Sequence, residues 1–241
     1  MLVPGFWLGA WAWDEVAGLL RAEGHDVTAL TLPGLESKDT DRSKITLEDH
    51  VDAIVRAVED ADESVVLVVH SGTGFSGYAA SDRVPDRIAA MVYVDSAPGI
   101  GAMWAPFEDV ENAMPSPEEL AKTENLDGLS GEQLAEFQRR AVPEPGAILR
   151  EAATLTNDAR LDIPTTIICT GATSEQMKAW AKERPTWLAG LSEVRNVSYV
   201  DLPTSHWPMW SRPKELAAII GEVANMHTHA TSDSTRGSVS P

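Results

Sequence analysis

Residues 65–77 read Val-Val-Leu-Val-Val-His-Ser-Gly-Thr-Gly-Phe-Ser-Gly. Val65 to Val69 are apolar and mostly β-branched, the composition of a strand buried on both faces of a parallel sheet. His70-Ser71-Gly72 then turns into a segment with helical spacing, Phe75 to Arg83. A serine at the tip of a strand–turn–helix holds its Oγ above an α/β sheet, and the N–H of the next residue points at the bound carbonyl oxygen. Ser71 and Gly72 occupy those positions, whereas Ser76 falls a turn into the helix. The window Val69-His70-Ser71-Gly72-Thr73 departs from G-x-S-x-G at both outer positions. A slightly wider turn is therefore expected, with Gly72 and Gly74 supplying backbone freedom.

The same residues carry a rival pattern. Gly72-Thr73-Gly74-Phe75-Ser76-Gly77 is a literal G-x-G-x-x-G between a strand and a helix, and Asp95 ends the following strand. That is the layout of a dinucleotide-binding fingerprint and would make the chain an oxidoreductase. It accounts only for residues 65–95, and it needs the phosphate loop on the third strand rather than the first.

Upstream, residues 1–4 read as the end of a strand, and Trp11 to Glu23 has helical apolar spacing. His25 to Leu32 reads as a strand stopped by Pro33-Gly34. Thr46, with Asp49 three residues on, opens a helix to about Asp60, its apolar face formed by Val51, Ile54, Val55 and Val58 and His50 on its surface. Downstream, Ile88 to Val94 is a strand. Residues 97–160 lack a strand pattern and are rich in proline and acidic residues, with helical pieces at 117–123 and 131–141. Pro164 restarts the alternation: strand 165–170, helix 174–183, strand 197–202, helix 213–225. This pattern predicts the α/β class, a mostly parallel, doubly wound sheet. Its core is residues 1–96 and 161–225, with a helical cap at 97–160. The small, polar residues 226–241 are expected to be a disordered tail.

The 241 residues suit one core with an insertion. A formal net charge of −18 disfavours nucleic acid and anionic membrane surfaces as partners. The single cysteine, Cys169, excludes an intramolecular disulfide and sits in an apolar run. No apolar run reaches the length of a membrane span and the N-terminus has no basic leader, so a cytoplasmic protein is expected. Nothing in the sequence excludes a homo-oligomer. The histidines are scattered without cysteine or acid at ligand spacing, so neither a metal nor a cofactor is implied.

A serine nucleophile needs a base, an acid to orient the base, and donors for the oxyanion. The base candidate is His206, in Thr204-Ser205-His206-Trp207-Pro208 just past the last strand. His227 and His229 lie in the tail and His25 begins a strand. His70 adjoins the serine, where neighbouring side chains point apart.

With these residues in place, the chain resembles an α/β-hydrolase over almost its whole ordered length. Leu2-Val3-Pro4-Gly5-Phe6-Trp7 with Gly9-Ala10-Trp11 resembles the family's oxyanion strand and loop. Leu32-Pro33-Gly34 resembles its next turn, Ser205-His206-Trp207-Pro208 with Arg212-Pro213 its histidine loop, and the insertion sits where the family places a cap. The elements that commonly precede the oxyanion strand are absent, so either a compact sheet suffices or the start is truncated. The resemblance implies Ser71 as nucleophile, His206 as base, and the N–H groups of Phe6 and Gly72 as oxyanion hole. The usual acid position reads Gly171-Ala172-Thr173-Ser174-Glu175 and lacks aspartate. Some members, fungal lactonases that open zearalenone among them, are similar in taking the acid from the strand after the elbow, which here ends in Asp95. Asp95 is the expected acid, with Glu175 and Asp201 as alternatives.

Trp7, Met103, Trp104 and Trp207 lie near this site by topology and are the candidate substrate-binding residues. An aromatic mouth suggests a hydrophobic ester or lactone. The lack of Arg or Lys beside the elbow argues against a strongly anionic acyl group. The competing class is a binding protein on a catalytically degenerate hydrolase fold, which the imperfect elbow and displaced acid would suit.

Overall fold

The computed structural model describes residues 1–183 and 185–234. Five parallel strands form the central sheet: β1 (Leu2–Val3), β2 (Val65–His70), β3 (Ile88–Val94), β6 (Thr165–Cys169) and β7 (Val197–Asp201), side by side in that order. Alternate strand residues feed two cores. Leu67, Val69, Met91, Tyr93 and Ile167 pack against α2 (Leu47–Glu59), α3 (Gly74–Arg83) and α7 (Ser174–Ala181). Val68, Ala90, Val92 and Ile168 pack against α1 (Asp14–Ala22) and α9 (Pro213–Ser234), with α8 (Pro208–Ser211) beside them. Helices on both faces account for strands that are apolar throughout rather than alternating.

The element boundaries follow local chemistry. Thr46 and Asp49 make a reciprocal capping box at the start of α2, as their spacing predicts. The stretch read as helix from Trp11 opens as one 3₁₀ turn, Ala10–Trp13, before α1. His25 to Leu32 does not form the expected strand. It keeps a single parallel bridge, Ala29 to Leu2, because β1 is only two residues long and offers no further rungs. His50 is fully buried rather than on the surface of α2. Helix α9 continues past Asn225, so residues 226–234 of the expected tail lie within it, and residues 235–241 are outside the described residues.

Residues 97–160 carry α4 (Pro117–Thr123), α5 (Gly131–Arg140) and α6 (Ala147–Arg150). They also contain a two-stranded antiparallel ladder, β4 (Glu111–Asn112) with β5 (Glu144–Pro145), where no strand was expected. Strands of two residues are too short to show alternation in a sequence. The return of the insertion is fastened by Asp82 of α3, which is buried, accepts from the N–H groups of Thr156 and Asn157, and pairs with buried Arg160 at 3.1 Å. Among the described residues no helix is long and apolar enough to cross a membrane.

Candidate active site

Because all five strands are parallel, the residues that follow them collect at one edge of the sheet. Ser71 follows β2, Asp95 follows β3, and His206 lies in the loop after β7. The His206 Nδ1–H donates to Asp95 Oδ2 at 2.5 Å, and the Ser71 hydroxyl donates to His206 Nε2 at 2.8 Å. A carboxylate only accepts, so the Asp95 contact assigns the tautomer and leaves Nε2 bare for the serine. The other carboxylate oxygen, Asp95 Oδ1, accepts from the N–H groups of Thr170 and Gly171 at 3.2 and 3.4 Å. The loop that lacks an acid of its own thus supplies donors to Asp95.

Glu175 and Asp201 are not paired with His206. Glu175 sits in the first turn of α7, and Asp201 accepts from the Ser174 N–H and hydroxyl at 2.6 and 3.0 Å. Burial works against charge on His206, but the Asp95 hydrogen bond and charge, with Glu124 adding to them, outweigh it and raise its pKa. For Asp95, burial acts upward and is outweighed by the His206 bond and charge, leaving its pKa below the ordinary value.

Among the described residues, three other than glycine hold positive φ: Trp7 at 66°, Ser71 at 54° and Asp95 at 42°. All three lie at this edge. Such conformations cost on the order of 1–3 kcal/mol each and persist only where surrounding structure enforces them. At the elbow, Thr73 Oγ1 donates to the His70 C=O at 2.8 Å and accepts from the His70 N–H at 3.2 Å. Ser96 Oγ donates to the Ser71 C=O at 2.6 Å. Thr73 therefore stands where glycine is usual because its hydroxyl closes the turn.

The glycines of the G-x-G-x-x-G pattern serve close packing. A Cβ on Gly72 would lie 2.4 Å from the Phe6 ring, one on Gly74 2.4 Å from Ser96 Oγ, and one on Gly77 2.4 Å from Val69. At Gly74, the glycine whose bareness would admit a pyrophosphate, Ser96 Oγ and the Ala97 C=O occupy that space.

The loop after β1 lies against the elbow. A Cβ on Gly5 would come within 2.6 Å of His70 Nδ1 and 2.9 Å of Ser71 Cβ. Trp7 is clamped by the insertion: its N–H donates to Glu144 Oε2 at 3.3 Å, its indole to the Asn112 C=O at 3.0 Å, and its C=O accepts from the Val142 N–H at 3.0 Å. Trp104 is 54% exposed and stacks obliquely on Phe107, and Met103 is half-buried. Trp207 does not line an opening. It is 1% exposed, packed against Phe137 and Trp210, with its ring edge-on to His206. It braces the histidine, contrary to its expected place in a substrate wall.

Sequence reasoning passed over two histidines and a glutamate. His70 does point away from Ser71 Oγ, yet its Nε2–H donates to the His206 C=O at 2.7 Å and its Nδ1 accepts from the Gly5 N–H at 3.2 Å. One neutral ring thereby ties the elbow, the loop after β1 and the His206 loop together. His50 Nε2–H donates to the Pro33 C=O at 2.8 Å, while its Nδ1 faces Glu144 Oε1 at 3.9 Å. Both side chains are fully buried. The helical spacing of Leu47, His50, Val51, Ile54 and Val58 placed His50 on the buried face, a signal present in the sequence. Among the described residues no cluster of three or more His, Cys, Asp or Glu is arranged to hold a metal ion.

An elbow serine, a histidine from the last strand's loop and an acid at the same sheet edge define the hydrolase class of α/β proteins. The sequence matches the alpha/beta hydrolase family over residues 1–219, and the chain belongs to that family. It is similar to Methylesterase 7 of Arabidopsis thaliana, with 27% identity over 259 residues, 94% of this chain and 96% of the relative. It is equally similar to Esterase PIR7B of Oryza sativa subsp. japonica, with 27% identity over 262 residues and the same coverage. Among solved structures, an extracellular α/β-hydrolase from a Paenibacillus species superposes with a TM-score of 0.73 at 24% identity, covering 92% of this chain and 97% of that one. Tomato methylketone synthase I superposes with a TM-score of 0.71 at 20% identity, covering 94% and 96%.

Proposed function

We propose that the chain is a serine esterase that cleaves the carboxylic ester or lactone of an apolar small molecule through an acyl-enzyme. The observation that carries this reading is the relay from Ser71 Oγ through His206 to Asp95, at 2.8 and 2.5 Å. His206 Nε2 takes the serine proton as Oγ attacks the carbonyl, and Asp95 stabilises the imidazolium that results. The N–H groups of Phe6 and Gly72 receive the oxyanion. His206 returns the proton to the leaving alcohol and then draws one from the water that releases the acid. The relatives named methylesterases and esterases support the reaction class. Carboxylates Asp95 and Glu124 beside the base, and a net charge of −18, favour a neutral substrate over an anionic one. The insertion acts as the cap, with Trp104 and Phe107 as its aromatic contribution.

Full-length protein treated with a fluorophosphonate should carry the adduct on Ser71. Ser71→Ala should abolish labelling and lower kcat on an aryl ester about 10⁴-fold or more. Asp95→Asn should lower kcat by roughly 10²–10⁴, and Glu175→Gln should leave it unchanged. Full turnover by Ser71→Ala would overturn the reading. A folded, unlabelled wild type that still binds apolar esters would identify a binding protein instead.

A further inference from the structure

The insertion brings a second carboxylate to the base. Glu124 follows α4, and its Oε2 lies 3.8 Å from His206 Nδ1, the nitrogen already bonded to Asp95. The backbone around Glu124 is fixed. Its N–H donates to the Leu120 C=O at 2.8 Å, and the C=O of Asn125 accepts the His206 N–H at 2.8 Å. The Asn125 side-chain amide donates to the Thr204 C=O at 3.0 Å. The titratable groups facing His206 are Asp95 after β3, Glu124 from the insertion and His70 of the elbow. His70 is neutral, its Nδ1 occupied by the Gly5 N–H, which leaves Asp95 and Glu124 as the acidic groups; burial and the Asp95 charge raise the Glu124 carboxyl, and the His206 charge pulls it partly back down.

We propose that Glu124 is a positioning residue of the base, a second counter-charge that, alongside Asp95, stabilises His206 as imidazolium once Ser71 has passed it a proton. The proposal rests on the esterase reading of Ser71 and His206. A gap of 3.8 Å is too long for a hydrogen bond, so Glu124 acts through its charge and leaves the Nδ1 proton to Asp95. A neighbouring negative charge favours the protonated ring, as Asp95 does. Because Glu124 belongs to the insertion and Asn125 beside it holds the His206 N–H, displacing that segment would remove the counter-charge and loosen the histidine loop together.

NMR titration of isotopically labelled histidine reads the protonation of His206 without turnover. Glu124→Gln should lower its midpoint by roughly 0.5–1 pH unit, and Glu124→Lys by more. The acid limb of kcat/KM on an aryl ester should move down by the same amount, with KM little changed. In the Asp95→Asn background, Glu124→Gln should cost a further tenfold or so in kcat, more than in the wild type, because the two acids serve one ring. An unchanged midpoint in both single variants would overturn the proposal; if Ser71 still takes the fluorophosphonate, the esterase reading survives that result. A midpoint shifted by Glu124→Gln, in a protein whose wild type neither labels nor turns over, would keep the Glu124–His206 coupling and remove the esterase reading.

Discussion

Gly72 has almost no room for change. Its N–H belongs to the proposed oxyanion hole, and the Phe6 ring fills the space a side chain would take, at 2.4 Å. Gly72→Ala should push the ring and, with it, the Phe6 backbone donor. A loss of about 10–100-fold in kcat is expected, below the cost of deleting a donor outright. Phe6→Ala removes the ring but keeps the N–H, so the Phe6→Ala/Gly72→Ala double variant should recover most of that loss in a steady-state assay. Failure of the double variant would place the damage at Gly72 itself. At this scale Ser71, His206 and Asp95 are the candidates that motif, chain order and strand ends single out, and their side chains meet within hydrogen-bond reach. The sequence did not expose His70, Glu124 or Glu144, whose partners lie far along the chain and meet only through loop geometry. His50 differs: its polarity suggests a surface position, but its place in the apolar spacing of α2 puts it on the buried face.

Among the elements, the smallest one holds the site's most exacting loop. The ladder of β4 and β5 is four residues in all, yet Asn112 and Glu144 within it both bind Trp7, the residue after the proposed oxyanion donor Phe6. Neither strand was legible in the sequence, since two residues show no period. The long strands and amphipathic helices were, because burial on one or both faces writes itself into composition. Glu144→Gln keeps an acceptor for the Trp7 N–H and should retain near wild-type kcat. Glu144→Leu leaves that N–H buried without a partner, which costs on the order of 1–3 kcal/mol. It should lower kcat about tenfold or more through the shifted loop. Thermal unfolding and kcat on the same preparations distinguish a displaced loop from a lost fold.

For the molecule as a whole, buried Glu144 and His50 contribute to how folding responds to acidity. Burial drives the Glu144 carboxyl up to about 8 from 4.5, only partly offset by the Trp7 N–H and the Arg42 charge. Burial drives His50 down to about 4 from 6.5, against its bond to Pro33 and the Asp49 charge. Between pH 4.5 and 6.5 the unfolded chain has released the Glu144 proton but gained one on His50, while the folded chain keeps the first and refuses the second. Protons bound in the two states balance, and this pair contributes no slope to the unfolding free energy. Above pH 6.5 only the Glu144 proton distinguishes them, the folded state binds more, and stability falls until about pH 8. Below pH 4.5 the unfolded state binds more through His50, so stability falls as the solution becomes more acid. The unfolding free energy of the wild type in urea, taken relative to Glu144→Gln, which has no proton to lose, should therefore fall from pH 6.5 to 8. The buried amino terminus, its pKa lowered from 8.0 to about 6, adds the opposite slope equally to both proteins. An identical pH profile in the variant would show that Glu144 is already ionised when folded. The carboxyl that accepts the Trp7 N–H thus doubles as a proton store: for its own part it favours the fold while it keeps its proton and withdraws that support as the medium turns alkaline.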